Sequence, residues 1–248
     1  SILRAMARRA AALVIGNEIL TGKIRDENVH VLARELRLLG IVLDRVVICP
    51  DDIDVIADDL RALRRSHDLV FTSGGVGPTP DDVTLPAVAK SFDRPLVRSE
   101  IIEGLIRGYW KERVTDGHLR MADVPEGADL LSNPEVPWPV VTIDNVCVLP
   151  GVPEIFKLKL RMLREKIGSD TPFVTRALYT TCDEGSIAEL LEELGRHHPA
   201  VEIGSYPRWR GDDYRVKLTF DGLDADAVSA CLEACRAALD DEQVVRVE

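Results

Sequence analysis

Between residues 11 and 72 short apolar runs alternate with stretches of helical periodicity, and this alternation restricts the fold more than any other feature of the chain. AALVI, 11–15, has no polar position to offer a wet side, so it reads as a strand buried on both faces. In DENVHVLARELRLLG, 26–40, Val29, Leu32, Leu36 and Leu39 share one helical stripe, with Asp26 placed to cap the start and Gly40 the end. IVLDRVVI, 41–48, reads as a strand. DDIDVIADDLRAL, 51–63, is a helix with Ile53, Ile56, Leu60 and Leu63 on one face, and DLVFT, 68–72, another buried strand. Such an order implies parallel strands joined by crossover helices, in an α/β domain whose sheet is covered on both faces.

Farther along, 83–113 reads as two helical pieces broken near Asp93-Arg94-Pro95. Residues 124–139 read as loop, because Pro125, Pro134, Pro137 and Pro139 fall there. VVTI-DN-VCVL, 140–149, is a hairpin with an Asp-Asn turn. The next helix starts at Pro153 and stops at Gly168, with Phe156, Leu160, Leu163 and Ile167 as its apolar stripe. GSDTP, 168–172, is the candidate linker.

Beyond it FVTRALYT, AVEIGS, YRVKLTF (214–220) and QVVRV read as strands. A capping box at Ser186–Glu189 opens a helix closed by Gly195, and DADAVSACLEACRAAL is a second helix. This is the ferredoxin-like β-α-β-β-α-β order. The expected domains are 1–170, the α/β domain, and 171–248, a small α+β domain.

A formal net charge of −11 argues against a nucleic-acid partner, which needs a basic face. No apolar run approaches the roughly 20 residues that span a bilayer. The opening SILRAMARRAAALVIG reads as a leader arm entering the first strand. Cys49, Cys147, Cys182, Cys231 and Cys235 form no CxxC pair, and Cys231 and Cys235 fall on a core face. Reduced thiols in a cytoplasmic protein are expected. His30, His67, His118, His197 and His198 form no HExxH or zinc-like spacing. RWRGDDYR, 208–215, interleaves basic and aromatic residues and reads as a polar hairpin tip.

TSGGVGPTPDDVT, 72–84, carries the chemistry. It lies between a buried strand and a helix, where ligands of open parallel sheets bind. Glycines let backbone N–H groups approach an anion, and the helix that starts near Val83 points its positive end there. Asp81 and Asp82 beside a phosphate repel it unless a divalent cation stands between them, which suggests metal-assisted phosphate chemistry. The competing reading makes Asp82 a helix N-cap and Asp81 a turn residue. Glu18, in Gly16-Asn17-Glu18-Ile19-Leu20 after the first strand, is a third candidate carboxylate or a surface acid. Pro150-Gly151-Val152-Pro153 is a third turn facing the same edge or a stiff cap.

Taken together, IGNEILTG at 15–22, Asp26, Asn28, TSGGVGPTPDDVT, RMADVPEGADLLSN at 120–133 and VLPGVP at 148–153 resemble the MoaB/Mog-type molybdopterin-binding family, most closely its CinA amino-terminal branch. The resemblance covers roughly 10–168, and the small domain is similar to one that follows in that branch. It implies a three-layer α/β/α domain and a homo-oligomer. It also implies a nucleotide pyrophosphatase, dependent on Mg, Mn or Co, acting on FAD or ADP-ribose. Other relatives bind or adenylylate molybdopterin, so a pterin ligand and a non-catalytic nucleotide sensor stay open. By position, Gly16, Asn17, Asn28, Ser73, Gly74, Gly75, Gly77, Thr79 and Gly151 would bind phosphate or nucleotide. Asp81 and Asp82 would serve metal and water, with Glu18 supporting. The chain departs from the family at Asn17, where an aspartate is usual, and at Pro137-Trp138-Pro139, where a small-residue turn is common.

Overall fold

The structure, a computed structural model, describes residues 7–168, 171–209 and 213–248. The start of the leader arm, the centre of GSDTP and the tip of RWRGDDYR lie outside them. The chain divides into two compact units, the larger built on 8–37 and 41–168 and the smaller on 171–248. No helix among the described residues is long and apolar enough to cross a membrane.

The larger unit runs β1 (Arg8–Ile15), α1 (Asn17–Leu20), α2 (Asn28–Leu38), β2 (Ile41–Cys49), α3 (Ile53–Ser66), β3 (Leu69–Ser73) and α4 (Thr84–Ser91). It continues with β4 (Leu96–Arg98), α5 (Glu100–Trp110), α6 (Asp116–Arg120), β5 (Asp123–Pro125), β6 (Asp129–Leu131), β7 (Val140–Ile143), β8 (Val146–Leu149) and α7 (Pro153–Ile167). Its six-stranded sheet has the order β2-β1-β3-β8-β7-β6. The first four are parallel; β7 and β6 pair antiparallel at one edge. The reading as an α/β domain with a mostly parallel sheet holds.

β1 explains why its sequence is apolar throughout. Ala11, Leu13 and Ile15 share one core cluster with Ile56, Leu60 and Leu63 of α3, Leu85 and Val88 of α4, and Ile102 and Ile106 of α5. Ala10, Ala12 and Val14, on the opposite face by strand alternation, are equally buried. Truncating Leu13, fully buried, to alanine costs about 2–5 kcal/mol.

The structure amends several local readings. The supposed loop at 124–139 includes β6 and the end of β5. Pro125 is tolerated because it ends β5 in the isolated two-stranded β4-β5 ladder. Asp26 does cap α2, accepting from the Val29 N–H at 3.0 Å. The Asp-Asn turn exists, with Asp144 at φ 47° and the Asn145 amide donating to the carbonyls of Arg64 and His67.

The smaller unit runs β9 (Val174–Thr180), α8 (Glu184–His197), β10 (Glu202–Pro207), β11 (Val216–Gly222), α9 (Ala225–Ala237) and β12 (Val244–Val247). Its sheet, β10-β11-β9-β12, is antiparallel throughout, as a ferredoxin-like α+β domain requires. Cys231 and Cys235 are fully buried in its core beside Leu218 and Phe220. Here too the helix ends shift. Asp183, not Ser186, caps α8, accepting from the Ser186 N–H at 3.2 Å, and the helix runs past Gly195 to His197. Asp183 wins because its carboxylate reaches the third N–H of the first turn; Gly195, exposed, is simply accommodated inside the helix.

Candidate functional site

β1, β3 and β8 are neighbours and run in the same direction, so Ile15, Ser73 and Leu149 end at one edge. A cleft of about 740 Å³ opens there. The loop ends are tied to one another. The Gly16 N–H donates to Cys49 O and the Gly74 N–H to Leu149 O, both at 3.2 Å. Asn28, the first residue of α2, is buried and donates its amide to Ser73 Oγ (2.9 Å) and to Gly151 O (2.8 Å). Its Oδ1 is buried without a partner, so this oxygen is available to a donor on a ligand or water.

The glycines of 74–77 meet two requirements. Gly74 has φ 109°, and a Cβ there would stand inside the radius of the Ile15 carbonyl oxygen. Gly75 has φ 63°, and a Cβ there would lie 2.5 Å from Thr84 Oγ1. Thr84, at the start of α4, holds the loop with its hydroxyl on Gly74 O (2.8 Å) and its N–H on Gly75 O (3.0 Å). These contacts demand glycine for packing alone. Gly75, Val76 and Gly77 line the cleft, and their N–H groups make no hydrogen bond among the described residues. Consecutive unspent donors of this kind are what an anion-binding loop offers.

The carboxylates divide. Asp82, half-buried on the cleft wall, accepts from the Thr79 N–H at 2.9 Å and the Thr79 hydroxyl at 2.5 Å. Its Oδ2 occupies the space that a side chain on Gly77 would need, 2.6 Å from an ideal Cβ. It is not the N-cap of α4, which is Val83. Asp81 is exposed and does not line the cleft. Hydrogen bonding from the Thr79 side chain and from the backbone N–H of Asp81 itself would draw its carboxyl below the usual range, but only the backbone N–H is free to do so. That hydroxyl has one proton, and the 2.5 Å contact gives it to Asp82. Glu18 lines the cleft and fills the place a side chain on Gly16 would take.

Of the residues expected from sequence, the cleft therefore gathers Glu18, Asn28, Ser73, Gly74, Gly75, Gly77, Asp82 and Gly151. Gly16, Asn17, Thr79 and Asp81 stand outside its lining. Asn17 is exposed with its N–H on the Asp51 carboxylate at 2.8 Å, and Thr79 lines an adjacent cavity of about 250 Å³. Among the described residues no three His, Cys, Asp or Glu side chains converge as a ready metal centre.

This cleft belongs to a recognisable type. The family described as "Probable molybdopterin binding domain" matches residues 11–167, and "FAD synthase, middle domain" matches 172–248. The chain belongs to the molybdopterin-binding domain family. It falls in the CinA-like branch. A CinA-like protein of Gemmatimonas aurantiaca is 33% identical over 94% of this chain and 58% of its own length. A probable FAD synthase of Caenorhabditis elegans is 30% identical over 94% of this chain and 50% of its own length. The chain thus spans 50% of one protein and 58% of the other. A crystal structure of the protein CinA from Thermoplasma acidophilum is 30% identical, with TM-score 0.60, covering 65% of this chain and 99% of that one.

Some cleft residues of this family member gave little sign in the sequence. Trp110, at the end of α5, and Trp138, before β7, both line the cleft, with ring centroids 6.0 Å apart and edge to face. Trp110 also lies against the His118 ring at 4.5 Å. The departure at Pro137-Trp138-Pro139 is therefore a cleft wall, and an aromatic one. Lys159 of α7 is buried at 7% exposure, lines the cleft and donates to Pro139 O at 2.9 Å. Burial brings its pKa down to about 8. The available signal was its place in the stripe of Phe156, Leu160 and Leu163, where a lysine breaks the apolar spacing.

Proposed function

We propose that the chain is a metal-dependent nucleotide pyrophosphatase acting on dinucleotide diphosphates such as FAD or ADP-ribose. The observation that carries this reading is the row of unspent N–H groups at Gly75, Val76 and Gly77 in one cleft with the carboxylates of Glu18 and Asp82. The donors suit phosphate oxygens. The cleft lining as a whole is acidic, with Glu18, Asp26, Glu27, Asp82 and Glu135 against Arg25 and Lys159. A diphosphate enters such a cleft most readily with a divalent cation, and oxygen donors fit Mg, Mn or Co of hard character. Asp82 and Glu18, both in the cleft lining, would hold it, with Asp81 on the same turn as Asp82 and open to solvent. When bound, the cation polarises a phosphoryl group and acidifies a water.

The chain's own groups then have defined tasks. The Gly75–Gly77 N–H groups hold the phosphate oxygens and stabilise the charge that develops on them. Water adds to one phosphorus, the bridging P–O bond breaks, and the products are AMP and the second phosphorylated fragment. Because relatives carry the name FAD synthase, FAD is the first substrate to try.

The test is product analysis by chromatography with FAD, ADP-ribose and NAD⁺, each with Mg²⁺, Mn²⁺ or Co²⁺ and with chelator. Metal-dependent AMP that falls at least a hundredfold in Asp82→Ala supports the reading. Full activity in Asp81→Ala removes that residue from the metal site, and full activity in both variants sinks the assignment. The aromatic wall of Trp110 and Trp138, which suits a planar ring, favours a second reading as a molybdopterin-binding protein. Tight pterin binding with no AMP from any substrate would select it.

A further inference from the structure

We infer that Lys159 is an anion-binding residue of the cleft, its ammonium group taking a phosphate oxygen of the ligand in addition to the contacts from the glycine loop. The inference rests on the reading that the cleft takes a phosphorylated ligand.

Lys159 is in an unusual position for a lysine. It is buried among the apolar residues of α7 yet lines the cleft. An ammonium group carries three donors, and here Pro139 O is the partner of one of them. No carboxylate forms an ion pair with it among the described residues, whereas Arg164 on the same helix is paired with Glu35 at 3.0 Å. Burial is the one cause that shifts its pKa; no charged neighbour contributes. A buried cation without a counter-ion is costly, and the cost is relieved when an anion arrives.

Holding the Pro139 carbonyl does not explain the charge, since a neutral amide would do that as well. The charge has a use in a cleft whose acids outnumber its cations, because it offsets the repulsion that an incoming phosphate meets there. The other lining cation, Arg25, is exposed, so Lys159 is the buried one. A phosphate that reaches it gains a charge-assisted hydrogen bond in a dry setting.

The experiment is calorimetric titration of the full chain with ADP-ribose and, as a probe without phosphate, adenosine. It is run with chelator, repeated with Mg²⁺, and carried from pH 7 to 9.5. ADP-ribose has no phosphate group that titrates in this range. Lys159→Met should weaken ADP-ribose about 10- to 100-fold at pH 7 and leave adenosine unchanged. Lys159→Arg should recover most of the loss. The ratio of wild-type to Lys159→Met affinity should fall toward one as the pH passes 8. That ratio removes the contributions of Glu18, Arg25, Asp26, Glu27, Asp82 and Glu135, the other charged groups on the cleft wall.

Equal affinity of wild type and Lys159→Met for ADP-ribose would make Lys159 a support for the Trp138-Pro139 wall, with the phosphate cleft intact. No binding of ADP-ribose to wild type, with or without Mg²⁺, would overturn both the cleft reading and this one. Should circular dichroism show Lys159→Met unfolded, the wild type decides alone: affinity that does not weaken between pH 7 and 9.5 overturns the assignment.

Discussion

The two units solve the same burial problem with opposite strand directions, and the consequence falls on their loops. In the larger, β2, β1, β3 and β8 run parallel, so these four leave the sheet at the same edge and the loops after Ile15, Ser73 and Leu149 have to meet. In the smaller, β10, β11, β9 and β12 alternate in direction, so their ends divide between two edges. Both cavities described above lie in the larger unit. A parallel sheet gathers chain ends, and gathered ends make a site.

Glycines show the contrast most sharply. Replacing Gly74 by valine forces a branched side chain into a left-handed backbone and against Ile15 O. We expect a loss of about 4 kcal/mol or more, with loss of ADP-ribose binding, read from urea denaturation and calorimetry. A stable Gly74→Val protein would show that the strand ends need not be so closely packed.

Lys159 gives the next largest effect. Its pKa is lowered from 10.5 to about 8 by burial, a difference of about 3 kcal/mol between the two protonation states. Between those values the unfolded chain binds the proton and the folded chain does not, so stability rises with pH through that window. Below about pH 8 the full cost of the buried charge is present. Denaturation midpoints of wild type relative to Lys159→Met should therefore climb between pH 8 and 10.5; a flat difference would mean that Lys159 is solvated.

A smaller loss is expected for Thr84→Val, which keeps the shape of a fully buried side chain but leaves Gly74 O without its hydroxyl donor. About 1–2 kcal/mol is the expected cost in the same assay. The least effect, of opposite sign, belongs to the smaller unit. Gly195 is exposed within α8, and a Cβ there meets nothing within 4 Å. Gly195→Ala should stabilise the chain by about 0.5–1 kcal/mol, measured by thermal unfolding. Destabilisation instead would mean that this glycine, like Gly74, serves a close approach.

The strands and helices were readable because their signals are short-range: period two or unbroken apolarity for strands, period 3.6 for helices. The glycine loop was readable as a ligand edge for the same reason, since it joins a buried strand to a helix. What its acids do was not readable. Asp81 and Asp82 are adjacent in sequence, yet one faces solvent and the other braces Thr79 and Gly77. Nor does anything near Trp110 announce that it will meet Trp138, or anything near Lys159 that Pro139 will cover it.

By itself, then, the sequence determined the order of the long strands and helices, the parallel sheet that follows from that order, and the edge where glycine turns collect, but not the short strands at 96–98, 123–125 and 129–131. The tertiary structure decided which side chains share the cleft: Asn28 bridging Ser73 and Gly151, Asp82 turned inward, Trp110 beside Trp138, Lys159 buried without a carboxylate. The reason is physical. Local conformation depends on neighbours in the chain, whereas a site at a sheet edge is assembled from residues that only folding brings within reach of one another.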